Sequence, residues 1–317
     1  MEEKKQYHRT KQFFSRYGSL AVLGVMVLIM TFLSERFLTM ANLFNISRQI
    51  SVNSIVAAGM TFVILSAGID LSVGSVVALS GIVIAYLIQM GGVPVFLAVL
   101  AGMALAVLLG LNNGVITAKA QIPFFIVTLA TMVIARGLCY IITGGFPISQ
   151  LGEGFQQIGR GYLGPLPIPA LIMVLVYVLA YIILQHMPFG RHVYAIGGNE
   201  TAASLAGINV DRTKIAIYGI CGACSGIASL ILTSRMNSGD PNMGTGLELD
   251  AIAAVVIGGT SISGGQGWIW GTFIGAYIIG ILNNGLNMLN ISAYYQMALK
   301  GLVILLAVWL QKSLQKK

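Results

Sequence analysis

Side chains able to do chemistry are sparse in this chain, and those that stand near the ends of its apolar runs are mostly amides and aromatics: Asn53, Asn112, Asn113, Asn283, Asn284, Asn287, Tyr294, Tyr295 and Gln296. An amide both donates and accepts hydrogen bonds, and an aromatic face packs against ring C–H groups. That combination suits a neutral, hydroxyl-rich solute better than it suits bond-making catalysis. Asn53, Asn112, Asn283, Asn287, Tyr295 and Gln296, together with Asp70, are the candidates for a solute path. Charged groups add little to the set. Asp70 lies in a glycine-rich break, Glu248 and Asp250 precede an apolar run, and Arg136 and Lys300 stand inside such runs. A charge at the bilayer centre costs about 2.5–3.5 kcal/mol on insertion scales, so each retained one needs a partner or an escape to the interface. Arg136 and Lys300 read as ion-paired or snorkelling side chains before they read as solute contacts.

The absences are equally informative. No Gly-x-x-x-x-Gly-Lys-Ser/Thr phosphate loop occurs, since the glycine-rich run at 258–267 has no lysine, and no ATP or other cofactor is expected on this chain. No His-Glu-x-x-His occurs, and His8, His186 and His192 all lie outside the apolar runs, so neither a metal site nor a catalytic set is expected. Cys139, Cys221 and Cys224 sit within apolar stretches; the Cys221-Gly-Ala-Cys224 spacing, set among small residues, reads as helix packing and not as a redox pair.

The elements that must position these residues are apolar. Of 317 residues, 56% are hydrophobic and 9% charged, about a third of the charged share of an average soluble domain. A span needs about 20 apolar residues, and candidate segments fall at 19–34, 51–67, 73–90, 94–111, 123–142, 168–185, 214–233, 250–262, 268–289 and 294–311. The expected fold is therefore all-α: a polytopic membrane helix bundle of about ten segments with both termini cytoplasmic. Residues 1–18 form a cytoplasmic tail, 19–312 a single transmembrane domain, and 313–317 a second tail. The basic start followed by an apolar run lacks a small-residue cleavage site and reads as a retained first span. The second and eighth segments are short and end at glycine-rich breaks, so they are candidates for half-helices.

The charges support this threading. The tail cations, Lys119, Arg191, Arg212, Lys214 and the terminal lysines fall inside, leaving Arg36, Arg48, Arg160 and Arg235 outside, as the positive-inside rule requires. A net charge of +8 spread between apolar runs does not make a nucleic-acid face. Outside, residues 143–167 read as an ordered cap or docking rim. Inside, the loop 186–213 holds a short helix over 199–207, with Asn199 as N-cap and Gly207 as stop. Gly68-Ile-Asp-Leu-Ser-Val-Gly74 echoes Gly259-Thr-Ser-Ile-Ser-Gly-Gly265, as paired broken helices in transporters do. The Gly222-x-x-x-Gly226 and Gly267-x-x-x-Gly271-x-x-x-Gly275 rows read as seams within the chain, with a dimer seam as the alternative.

Four segments together resemble one family: Gly59-Met-Thr-Phe-Val-Ile-Leu65 with Gly68–Ser75, Gly197-Gly-Asn-Glu-Thr-Ala-Ala-Ser-Leu-Ala-Gly-Ile-Asn209, Gly246–Thr260, and Asn283-Asn-Gly-Leu-Asn287 with Tyr294-Tyr-Gln296. From about residue 38 onward the chain is similar to the ribose-type ABC transporter permeases, whose relatives carry xylose, arabinose, galactose and a furanosyl signalling molecule. The resemblance implies an inner-membrane importer subunit for a monosaccharide, not an enzyme. It also implies a second permease copy as a homodimer, a cytoplasmic double-domain ATPase that holds ATP and Mg, and an extracytoplasmic sugar-binding protein. Within it the 199–207 helix is a coupling helix, with Asn199, Glu200, Ala203 and Gly207 carrying the ATPase contact. Two alternatives stay open: a permease for a branched-chain amino acid, nucleoside or signalling furanose, and an ion-coupled secondary transporter with Asp70 as its ion site.

Overall fold

The computed structural model describes residues 2–292, 294–302 and 305, with side chains from residue 18 onward. In chain order it comprises α1 (Glu2–Leu33), α2 (Met40–Leu65), α3 (Val73–Gln89), α4 (Val95–Lys119) and α5 (Phe124–Thr143). Then come β1 (Ile148–Ser149), α6 (Glu153–Arg160), β2 (Tyr162–Leu163), β3 (Leu166–Pro167), α7 (Ile168–His186), α8 (Pro188–Gly198) and α9 (Glu200–Leu205). The last are α10 (Val210–Met236), β4 (Ser238–Gly239), α11 (Leu247–Ile257) and α12 (Ile269–Met288), and helix resumes over 294–302. The expected tail 313–317 and the end of the last expected segment lie outside the described residues.

Among the described residues, six helices, α2, α4, α5, α7, α10 and α12, are long and apolar enough to cross a bilayer, and Gly18–Leu33 and α3 are shorter apolar helices. Helices satisfy their backbone groups internally, which hydrocarbon demands, so the chain is a polytopic helical bundle. α2 and α10 form its centre: 83% of the α2 apolar window is buried against 22% of that of α4. Small residues allow the tightest contacts. Gly222 and Gly226 of α10 lie against Ala106, and Gly271 and Gly275 of α12 against Gly258 and Ala254, so both glycine rows are seams within the chain. Cys221 and Cys224 are free, buried thiols packed on Gly59 of α2.

The breaks fall differently from the hydropathy. α2 begins at Met40 and not at 51, and its 26 residues make it a full-length helix. Its first turns are polar, which hides them from a hydropathy reading, but Asn42 exchanges amide hydrogen bonds with Asn284 of α12 at 3.2 and 3.1 Å and holds that end in place. α11 is short as expected: 11 residues, about 16 Å at the α-helical rise, against a hydrocarbon core of about 30 Å. Its trailing loop meets the α2 break directly, the Gly265 amide donating to the Leu65 carbonyl at 2.9 Å. α8 is an element the hydropathy does not announce. Its start is marked only by Pro188 at N1, a position proline tolerates because no intrahelical partner is lost there.

At the end opposite α9, residues 143–167 fold into an ordered cap. β1 pairs antiparallel with β4, and β2 pairs with β3 as a hairpin. Ser234 of α10 donates to the Phe155 carbonyl at 2.6 Å and accepts from the Gly159 amide at 2.7 Å, which fixes α6 to the end of α10.

Candidate functional site

A cavity of about 240 Å³ lies between α2, α10, α11 and α12. Gln49 and Asn53 come from one face of α2, four residues apart, Arg235 from the last turn of α10, Asp250 from the first turn of α11, and Asn283 from α12. Leu232, Leu247 and Ala276 supply apolar wall. The Oδ1 atoms of Asn53 and Asn283 are buried and accept no hydrogen bond among the described residues. Leaving such acceptors unmet costs about 1–3 kcal/mol each, which an entering hydroxyl donor would relieve. Asp250 accepts from Lys300 Nζ at 2.9 Å, so acceptor and donor charges share one rim. Further along α2 and α12 toward the α9 end, the buried hydroxyls of Thr61 and Thr272 meet at 2.8 Å.

The other candidates for the path lie elsewhere. Asn112 is exposed on α4 away from the cavity, because the helix turns its neighbour Asn113 inward instead. Gln296 donates to Asn287 Oδ1 at 2.8 Å and to the Ile291 carbonyl at 2.9 Å, a local tie past the end of α12, and Tyr295 is 70% exposed. Asp70 is 2% exposed within a closed network: its Oδ1 accepts from the Ser72 amide and hydroxyl at 2.9 and 2.6 Å, Asn113 donates to Ser72 Oγ at 3.0 Å, and Thr131 donates to Asn113 Oδ1 at 2.6 Å. This chain of bonds ties the α2–α3 break to α4 and α5. Arg136 donates to the Pro241 and Met243 carbonyls, and Lys300 is the ion-pair partner of Asp250, so neither cation stands unpartnered.

At the opposite end of the bundle, α8 and α9 make an elbow between α7 and α10. Asn199 caps α9, its Oδ1 accepting from the Ala202 amide at 2.9 Å, and Asn209 caps α10 by accepting from the Arg212 amide at 3.0 Å. Gly207 closes α9 at φ 87°, a left-handed conformation that favours glycine, with the Ile208 amide returning to the Ala203 carbonyl at 3.1 Å. Ala203 faces inward, Glu200 is held at 2.7 Å by Lys214, and Leu205 projects 86% exposed. An open groove of about 660 Å³ runs beside α9, between Glu200 and Ser204 on one wall and Thr117, Gln121 and Phe124 on the other. α9 is thus a short helix, capped at both ends, that leaves Leu205 exposed beside the groove.

Residues 42–308 match the family model described as the permease component of branched-chain amino acid transport systems. The chain belongs to that permease family. It is 49% identical over 300 residues to the ribose import permease protein RbsC of Bacillus subtilis, covering 94% of this chain and 93% of that one. It is 48% identical over 301 residues to the protein of the same name in Haemophilus influenzae, with 94% and 93% covered. The xylose transport system permease protein XylH of Escherichia coli is 35% identical over 358 residues, with 94% and 91% covered. No solved structure matches. The chain is thus a multi-pass membrane transport subunit, and its task is to pass a solute and not to transform it.

For a permease the residue that sequence reasoning misses is Arg235, which enters it only as a charge counted on one side of the membrane. Its place in the cavity follows from the packing of α10 against α2, which no spacing reveals. Gln49 is hidden by the late start that hydropathy assigns to α2. Its one legible signal is the Gln49–Asn53 interval of one helical turn.

Proposed function

We propose that this permease forms the translocation path of an ATP-driven importer for a ribose-like monosaccharide. The observation that carries the reading is the joint presence of a sugar-sized cavity with two unmet amide acceptors and, at the other end of the bundle, a capped helix presented for a partner. In this reading about ten segments thread the bilayer, with α11 only half crossing it, and both termini and α8–α9 are cytoplasmic. Residues 186–213 are the coupling loop within a single transmembrane domain. Asn199 and Gly207 shape α9, Ala203 lets it lie close to the bundle, and Glu200 and Leu205 meet a cytoplasmic double-domain ATPase that holds ATP and Mg. The α6 cap faces a solute-binding protein, and two permease copies assemble as a homodimer.

Asn53 and Asn283 meet the solute hydroxyls, with Gln49, Arg235 and Asp250 around them; Asp70, Asn112, Asn287, Tyr295 and Gln296 serve the frame. Affinity resides in the binding protein, so a weak, transient site suffices, and alternating access follows from rocking of the permease halves. Arg235 favours a second reading, a carboxylate-bearing solute such as a branched-chain amino acid. Asp250 on the same rim opposes it, since a carboxylate would face it at close range.

The test is co-purification of the tagged permease with its ATPase, followed by uptake of radiolabelled ribose and leucine into vesicles, for wild type and Glu200→Arg. The substitution removes the acceptor that holds Lys214 and puts a second cation beside it. It is expected to abolish ATPase recruitment and ribose uptake while membrane insertion persists. Ribose uptake without any ATPase would sink the proposal, and uptake of leucine in preference to ribose would select the second reading.

A further inference from the structure

The elbow that carries α9 does not end at the surface of the bundle. On α8, Gly197 lies so close to two other segments that a Cβ there would strike the Leu65 carbonyl at the end of α2 and the Gly265 amide in the α11–α12 loop. Gly264 is equally tight, with an added Cβ 2.8 Å from the Ala67 nitrogen and 2.9 Å from the Gly197 carbonyl. One turn back on α8, the Tyr194 hydroxyl donates to the Gly267 carbonyl at 3.0 Å and accepts from Gln185 at 3.4 Å. Burial pushes its pKa up, which keeps it a donor.

The loop so gripped is stiff. The Ser261 amide donates to the Gln266 carbonyl at 2.8 Å and the Gly264 amide to the Ser261 carbonyl at 3.0 Å, closing it on itself. Beyond it, α11 and α12 are locked together through the Gly258–Gly271 and Ala254–Gly275 contacts, and their far ends carry Asp250 and Asn283 into the cavity. A displacement of α9, joined to α8 through Asn199 alone, therefore reaches the cavity wall through backbone-to-backbone contacts with no flexible side chain between them except Tyr194.

We propose that Tyr194 and Gly197 are positioning residues that transmit movement of α9 to the α11–α12 pair, so that the α11–α12 loop is the lever by which the ATPase reshapes the solute cavity. This rests on the proposed function and deepens it.

The experiment uses the complete transporter, permease with its ATPase and binding protein, in proteoliposomes, and reads ribose moved per ATP hydrolysed. Tyr194→Phe keeps the ring and removes the bond; it is expected to lower this ratio about fivefold, the weight of one net hydrogen bond, while the ATPase still co-purifies. Gly197→Ala, if it assembles, is expected to lower the ratio further, with ATP hydrolysis continuing. A purely structural role would reduce the amount of assembled transporter and leave the ratio unchanged. An unchanged ratio in Tyr194→Phe overturns the lever, whatever Gly197→Ala does. Failure of wild type to couple uptake to ATP overturns the underlying function as well, and so is told apart from failure of the lever alone.

Discussion

Two polar clusters lie inside the same bundle, and they are built on opposite terms. Around Asp70, every hydrogen bond is internal: Ser72, Asn113 and Thr131 pass donors and acceptors along a line until the set is closed. Around Asn53 and Asn283 the amide oxygens are buried and left without donors among the described residues, and the space before them is open. A closed network rigidifies the bundle and offers a solute nothing; an open one costs stability and offers a solute something specific. On the proposed function the difference separates frame from path more sharply than residue type does, since both clusters are made of Asn, Asp and neighbours that look alike in sequence.

The comparison can be broken first at Asn113. Replacing it with leucine strands Ser72 and Thr131 and leaves Asp70 under-solvated, at about 1–3 kcal/mol for each unmet buried group. We expect a clear fall in the detergent melting temperature of Asn113→Leu, and a variant as stable as wild type would erase the distinction. Asn283→Leu should do the reverse. Removing an acceptor that had no donor leaves the melting temperature unchanged or raised, while ribose uptake falls about three- to tenfold for the loss of one solute hydrogen bond. The smallest effect is expected at the rim: Lys300→Met leaves Asp250 unpaired in a partly exposed setting, and uptake should drop about twofold, as a weak ion pair would predict. Adding Asp250→Asn to it should restore part of that loss, and uptake assays on the single and double variants would decide.

Much of the fold was legible because hydrocarbon enforces it. Long apolar runs gave α4, α5, α7, α10 and α12, and the local capping signals of Asn199 and Gly207 marked α9. The polar first half of α2 was not legible, since its stability comes from Asn42 meeting Asn284 across more than two hundred residues of chain. For the cavity, Asn53 and Asn283 could be picked out as amides in apolar sequence, but so could Asn112, and a one-residue step along α4 decides between an exposed and a buried side chain. Arg235 and Asp250 become neighbours of the cavity only because α10 and α11 both pack against α2. Spacing along one helix was readable; the meeting of four was not.

The β2–β3 hairpin has a practical use that its size conceals. Gly164 at its tip, at φ 60°, has nothing within 4 Å of the position a side chain would take, and the flanking strands are tied to each other as a hairpin. Surface turns of this kind accept inserted peptides and fluorophores with little disturbance. A label carried there stands at the end of the molecule away from α9, and its reaction or failure to react with reagents that never enter the cell would report which way the chain faces without touching either α8–α9 or the cavity.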